Sequence, residues 1–262
     1  MSNVAPGIVA TVVLLCATSS GSAASRSNPL PTPAQEVPPH VVGSLVERDA
    51  APTWLQLPPS AQVEIPPGVA LEVISTSILS EERRKEAVLV GLFRNTGRLI
   101  KGATLTLSFI GRDGAIAGSA LDNDAKVSEV ATNEFLPFRF PLTSAALPRS
   151  DLTAVRLTLA ERATDIGRPI PATLVRYAVR GAARNSTVVT GRIDVSSTEA
   201  AGAQTRLVAT ILLLDKDDRC VEILTGELAR STGNSYPFEF HSPLPVGKST
   251  RHTRVWVEGY GQ

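Results

Sequence analysis

The chain has few cysteines, which limits how it can be stabilised. Of its 262 residues only Cys16 and Cys220 are cysteines, and Cys16 lies in an apolar segment near the N-terminus. If that segment is a removable leader, Cys220 has no partner in the mature chain, and an intramolecular disulfide is excluded. The sequence therefore predicts that Cys220 is not needed for folding. A disulfide to a second molecule is the alternative.

The chain also lacks an excess of either charge. Lys and Arg number 26 against 25 Asp and Glu. A net charge of +1 gives no basic field that would hold nucleic acid or an anionic membrane, so neither partner is predicted. A hydrophobic content of 43% with 19 Gly and 19 Pro is typical of a packed, β-rich protein and excludes a wholly disordered chain.

Sequence motifs for catalysis are missing. The chain has no G-x-S-x-G, H-E-x-x-H, G-x-x-x-x-G-K or C-x-x-C. Its histidines, His40, His241 and His252, have no second ligand at zinc spacing, and the acidic clusters at 122–124 and 215–218 lack the Gly and distal Glu of a calcium loop. The sequence predicts no catalytic residue, no metal site and no cofactor.

No apolar run of membrane-spanning length begins the chain. Residues 8–17 form a run of ten, followed by small residues, whereas a spanning helix needs about 20. This layout predicts a signal peptide over 1–24, cut after Ala24, and an extracytoplasmic protein, periplasmic or secreted, with no transmembrane span. It departs from the usual signal in having no Lys or Arg before the run. Lipid anchoring at Cys16 is a weaker alternative, because Leu15 stands where lipoprotein signals carry a small residue.

Ten of the 19 prolines lie between residues 26 and 68. Each removes a backbone donor and disfavours helix at the residue before it, which predicts an extended, proline-rich stem over 25–68. The only apolar cluster there surrounds Trp54. It is interpreted as packing on the next domain, with a docking peptide as the alternative.

From residue 69 onward the sequence repeats itself. Short apolar runs alternate with Gly, Asn, Asp and charged clusters, the rhythm of an all-β protein. Residues recur at a spacing of 100, with a local shift of four in the middle: Val88, Gly91, Gly102, Ala103, Pro137, Phe138 and Phe140 against Val188, Gly191, Gly202, Ala203, Pro237, Phe238 and Phe240. We predict two domains, 69–160 and 171–262, joined by a connector over 161–170.

Within each repeat the apolar period is two, as in half-buried strands. Leu105, Leu107 and Phe109 share one face, and the two F-x-F pairs of the repeats supply core anchors. The acidic segments 112–114 and 216–218 fall at hairpin turns. Short antiparallel strands with such turns over about 90 residues predict two tandem immunoglobulin-like β-sandwiches.

These motifs resemble a known family. The pattern V-x-V-G-x-x-x-N-x-G from Val88 to Gly97, an apolar strand leading into an acidic hairpin, and a late F-x-F strand are similar to FxLYD-type β-sandwich domains of bacterial envelope and secreted proteins. Residues 211–215 stand at the place of the family's name motif but lack its Phe and Tyr, and the first repeat departs further. The resemblance implies an extracytoplasmic accessory or interaction module without known chemistry.

Strand parity also predicts a candidate interaction surface. If Val255 and Val257 face the core, then Trp256, Glu258 and Tyr260 face outward. The same argument on the middle strand places outward Val208, Leu212 and Leu214. An apolar outer face is expected to be covered. Three covers are considered: the first domain or connector, a second copy or partner protein, or a sugar stacked on Trp256 and Tyr260.

The function predicted from these features is a non-catalytic extracytoplasmic module that presents a protein-binding surface on a stem. Its partner would be an envelope or extracellular protein, or a second copy of the chain. The alternative is a carbohydrate-binding module that uses the outward aromatic side chains of the second domain. A hydrolase is the least favoured class, because no catalytic motif supports it.

Overall fold

The computed structural model describes residues 40–42, 60–81, 85–118, 120–143, 152–162, 167–182, 186–196, 205–229, 233–242, 244, 250 and 252–261. All regular structure in these residues is β-strand. Within them there is no helix able to cross a membrane. The predicted signal peptide, Cys16 and most of the stem, including Trp54, lie outside the described residues.

Within the described residues, seventeen strands follow one another. The first ten are β1 (His40–Val42), β2 (Ser60–Glu64), β3 (Leu71–Glu81), β4 (Glu86–Asn95), β5 (Ile100–Lys101), β6 (Ala103–Gly111), β7 (Leu121–Asp122), β8 (Glu129–Val130), β9 (Phe135–Thr143) and β10 (Leu152–Glu161). The others are β11 (Arg168–Ile170), β12 (Ala172–Ala182), β13 (Ser186–Val195), β14 (Thr205–Leu214), β15 (Cys220–Glu227), β16 (Ser235–Ser242) and β17 (His252–Gly261). We call β1–β10 the first half and β11–β17 the second half.

The strands form four main sheets and one short ribbon. In order of pairing, sheet A is β1-β2-β10-β6-β7, sheet B is β3-β4-β9, sheet C is the short ribbon β5-β8, sheet D is β11-β17-β14-β15 and sheet E is β12-β13-β16. Neighbouring strands run antiparallel, except that β2 runs parallel to β10. This confirms the prediction of an all-β protein built from antiparallel sheets.

The predicted stem is too long at its C-terminal end. Strand β2 lies inside the range 25–68, yet it pairs with β10, and Ala61 is fully buried in the first core. Ser60–Glu64 contains no proline, although prolines flank it on both sides, so every residue of the strand has the backbone donor that a sheet needs. The folded region therefore includes residues that proline density alone assigned to the stem.

Each half encloses its own core between two sheets. In the first half, Leu105, Leu107 and Phe109 of sheet A pack against sheet B, whose inner side chains include Phe138 and Phe140. In the second half, sheets D and E pack around Ile211, Leu213, Phe238 and Phe240. The core residues on β14 and β17 are those that strand parity predicts to face inward: Leu207, Ala209, Ile211, Leu213, Val255 and Val257.

The two halves repeat one packing detail at the 100-residue spacing. Gly91 on β4 pairs with Phe138 on β9, and Gly191 on β13 pairs with Phe238 on β16. A Cβ on Gly91 would lie 2.1 Å from Phe138 Cζ, and one on Gly191 would lie 2.6 Å from Phe238 Cζ. Each glycine therefore makes room for an aromatic ring in the core, which explains why glycine recurs there.

A third apolar cluster joins the halves. Residues of β4 that point away from the first core, Val88, Val90 and Leu92, lie against Leu212 and Leu214 of β14. Strand β4 is buried along nearly its whole length because one face meets the first core and the other meets the second half. The sheets therefore stack in the order A, B, D, E.

Candidate functional site at the junction of the halves

The six residues predicted to form an interaction surface lie at the junction of the halves. Four of them, Val208, Leu212, Leu214 and Glu258, are at most 8% exposed. The other two, Trp256 and Tyr260, are partly buried, and Trp256 packs against both the first core and the third apolar cluster. Of the three covers considered from the sequence, the first half is the one that occupies this face in the structure.

Glu258 is a buried carboxylate that joins β17 to the first half. It is 2% exposed and accepts hydrogen bonds from the backbone N–H of Ser128, from Ser128 Oγ at 2.8 Å and from Tyr260 Oη at 2.6 Å. Ser128 Oγ in turn accepts a hydrogen bond from the N–H of Gly167 at 3.0 Å. A buried charge is tolerated when several donors satisfy it, so this network fixes the position of β17 on the 123–130 segment.

Tyr260 predicts a pH dependence of stability. Burial, and then its hydrogen bond to Glu258, raise the pKa of Tyr260 from 10.0 to about 12. Above pH 10 the tyrosine of the unfolded chain loses its proton first, so the unfolded state binds fewer protons and stability falls as pH rises from 10 to 12. Urea unfolding should show this decline, and Tyr260→Phe should reduce it. An equal decline in Tyr260→Phe would assign the effect to other groups.

A second buried carboxylate lies on the other side of β14 from Glu258. Glu222 on β15 is fully buried and accepts hydrogen bonds from Arg139 Nε at 3.2 Å and from Ser242 Oγ at 2.6 Å. Arg139, on β9 of the first half, also donates to Asp124 Oδ2 at 2.7 Å. The guanidinium therefore links an exposed and a buried carboxylate across the junction, and Glu222 depends on it for neutralisation.

Three further hydrogen bonds, each between a side chain and a backbone group, join the halves. Thr210 Oγ1 donates to the carbonyl of Lys126 at 2.9 Å and lies 3.3 Å from the N–H of Lys126, which donates back to it. The N–H of Cys220 donates to Ser75 Oγ at 3.1 Å. Outward-facing groups of sheet D therefore complete hydrogen bonds for the first half as well as covering its apolar residues.

Sequence reasoning missed several polar residues of this junction. Ser128, Arg139 and Glu222 were not among the predicted site residues. Glu222 did carry a signal, because it is the one charged residue in the otherwise apolar stretch from Cys220 to Leu224. A charge in such a strand is rarely buried without a partner, but the sequence does not identify Arg139 as that partner.

Cys220 belongs to the same junction. Its thiol is free and fully buried, in the third apolar cluster. Burial, with a smaller contribution from the charge of Glu222, raises the pKa of the thiol well above its usual range. A buried thiol of raised pKa is protected from oxidation and exchange, which disfavours the predicted alternative of an intermolecular disulfide.

An open cleft borders the junction. It has a volume of about 500 Å³ and lies between segment 122–128 of the first half and strands β14, β15 and β17 of the second. Its polar wall includes Asp122, Lys126, Arg206 and Glu227, and Tyr260 supplies an aromatic edge. A cleft with both charged and aromatic groups can accept a small polar ligand. Within the described residues, no three metal-binding side chains come together.

Comparison with known proteins identifies no family. No protein-family model and no curated protein matches the chain. One solved structure that it matches is the C-terminal globular domain of an oligosaccharyltransferase from Pyrococcus abyssi. The sequences are 15% identical, the match covers 68% of this chain and 42% of that one, and the TM-score is 0.22. A likeness this weak carries no argument about function.

Proposed function

We propose that the chain is a non-catalytic extracytoplasmic interaction module made of two tandem immunoglobulin-like sandwiches related to the FxLYD type. In this proposal the leader exports the chain, and the proline-rich stem separates the two sandwiches from the N-terminal end. The partner is an envelope or extracellular protein. The observation that carries the proposal is that the apolar outer face of the second half packs against the first half and locks the two halves together.

The locked junction supports a display role. Two sandwiches joined only by a connector would move relative to each other, whereas this junction combines an apolar cluster with two buried carboxylates that each accept hydrogen bonds from the first half. The stack therefore holds its outermost sheets in a fixed relation. Rigid presentation lowers the entropic cost of binding a partner, which is what a binding scaffold needs.

In-cell crosslinking of the full chain tests the proposal. A photo-crosslinkable residue placed at Glu239, on the exposed sheet E, should give a discrete adduct with another envelope protein. The same residue at Asp217, in the exposed turn after β14, serves as the control and should not give that adduct. Export of the chain without any protein adduct from positions distributed over sheets A and E would contradict the proposal.

The cleft of about 500 Å³ favours carbohydrate binding as a second candidate function. Carboxylate, amide and guanidinium groups surround Tyr260 there. Such a mixture can form hydrogen bonds with sugar hydroxyls while the sugar ring lies beside an aromatic ring.

Trp256 is a poor site for testing this function, because its ring packs within the junction. Arg206→Gln should abolish binding on a glycan array while Lys216→Gln leaves it unchanged, and a glycan-array profile without any signal would exclude this candidate.

A further inference from the structure

The outermost face of sheet E carries three exposed arginines. Register places Arg176 directly opposite Arg192, and Arg180 lies four residue pairs further along β12. Their side chains lie on the face away from the second core, because the alternate residues Val189 and Phe238 are inside it. We call Arg176, Arg180 and Arg192 the arginine face.

The equivalent face of the first half is mostly apolar, with Ser75 at the position of Arg176, and it is covered. In sheet B, Leu92 occupies the pairing position that Arg192 has in sheet E, and Leu79 occupies that of Arg180. Leu92 is buried in the third cluster by the second half, whereas Arg192 is exposed at the end of the stack. The same face of the repeated sheet therefore has two roles. In sheet B it joins the halves. In sheet E, where Arg180 and Arg192 stand in place of the leucines, it is exposed at the end of the stack.

Folding alone does not account for these three arginines. Like charges directly opposite each other on neighbouring strands are destabilising, and Arg176 and Arg192 are such a pair. Solvation of an end sheet is equally well served by charges of mixed sign. Among the described residues none forms an ion pair with any of the three. The face also carries two acids, Asp194 and Glu239, which contact Ser235 Oγ at 2.5 Å and His241 Nε2 at 3.0 Å. Three arginines against two acids leave the face with a net positive charge.

The composition of the face is that of a protein interface. Tyr177, which follows Arg176 on β12, is 36% exposed and lines one cleft with Arg176 and Arg180. Exposed apolar surface lies beside the arginines, since Val175 at the bulge of β12 is 52% exposed. Arginine with neighbouring apolar surface is typical of protein interfaces, and the planar guanidinium binds carboxylates with two parallel hydrogen bonds.

We propose that the arginine face binds an acidic segment of a protein partner through carboxylate–guanidinium pairs. This proposal rests on the proposed function and names the chemistry of the partner. It predicts that binding weakens with salt, because the pairs are at an exposed surface. It also predicts that lysine replaces arginine poorly, because lysine cannot make the two parallel hydrogen bonds.

Fluorescence anisotropy of the full chain with a labelled glutamate peptide of about twelve residues tests the proposal. Arg192→Glu should weaken binding about tenfold or more, because it opposes like charges across the contact. Arg192→Lys should weaken it less. Lys216→Glu makes the same change of charge in a turn where the lysine side chain is 80% exposed, and it should leave binding within about twofold. Circular dichroism confirms that each variant is folded.

Several results would overturn the proposal. These are absence of peptide binding by the wild-type chain, or equal weakening by Arg192→Glu and Lys216→Glu. Tighter, arginine-dependent binding of heparin would reassign the face to an acidic polysaccharide. The proposed function fails separately: if the crosslinked envelope partner persists in Arg192→Glu, the module binds a protein through another surface, and only the arginine face is excluded.

Discussion

Arg139→Ala is expected to lower the free energy of unfolding by about 3–5 kcal/mol. The reason is that Glu222 is fully buried and Arg139 is the charged partner within hydrogen-bonding distance of its carboxylate. Removing the guanidinium leaves an uncompensated charge at the centre of the junction. Chemical denaturation followed by circular dichroism measures the loss.

Arg206→Ala provides the matched control. Arg206 Nε lies 2.8 Å from Glu227 Oε2, a shorter contact than that of Arg139, but both side chains are more than half exposed. Water solvates each charge when the other is removed, so the expected loss is about 0–1 kcal/mol. Comparable losses in the two variants would mean that Glu222 is solvated and that the junction is open. Arg139→Ala combined with Glu222→Leu should recover much of the stability, because it removes the buried charge as well.

Gly91→Ala is expected to destabilise the chain by about 3 kcal/mol or more, because it overpacks the first core. The added methyl group would lie 2.1 Å from Phe138 Cζ and 2.7 Å from the carbonyl oxygen of Ser75. Phe138 is fully buried among Phe93 and Phe140, so its ring has little room to move, and the carbonyl belongs to the neighbouring strand. Thermal and urea unfolding measure the loss.

Gly181→Ala is the control for the effect of alanine itself. No atom lies within 4 Å of a Cβ built on Gly181, which is exposed in β12. The change should therefore alter stability by no more than about 0.5 kcal/mol. Phe138→Leu in the Gly91→Ala background should restore part of the loss by freeing space beside the methyl group. A Gly91→Ala protein as stable as the wild type would show that this strand pair is not packed as described.

Local patterns predicted much of the fold. Alternation along β6, β14 and β17 separates inward from outward residues correctly, since the period of a strand is two whatever lies around it. The turns at 112–114 and 216–218 were also predicted correctly, because Gly114 and Asp218 adopt the positive φ that Gly, Asn and Asp tolerate.

The junction could be predicted only in part. Parity identified an apolar outer face on β14, but the identity of its cover depends on the relative placement of the two halves, which no local pattern encodes. The pairing of Arg139 with Glu222 joins residues 83 positions apart, and neither residue alone indicates the other. Strand β2 was missed for a similar reason: prolines on both sides outweighed five residues that pair in parallel with β10.

The reactivity of Cys220 tests the central claim, that the two halves are locked together, most directly. In the chain without residues 1–24, Cys220 is the only thiol, and it lies in the apolar cluster between β4 and β14. A thiol reagent should therefore leave the native protein unmodified until denaturant is added. Arg139→Ala should speed the modification about tenfold or more, because it favours opening of the junction, whereas Arg206→Ala should not. Modification of native wild-type protein as fast as that of the unfolded chain would show that the halves are not locked together.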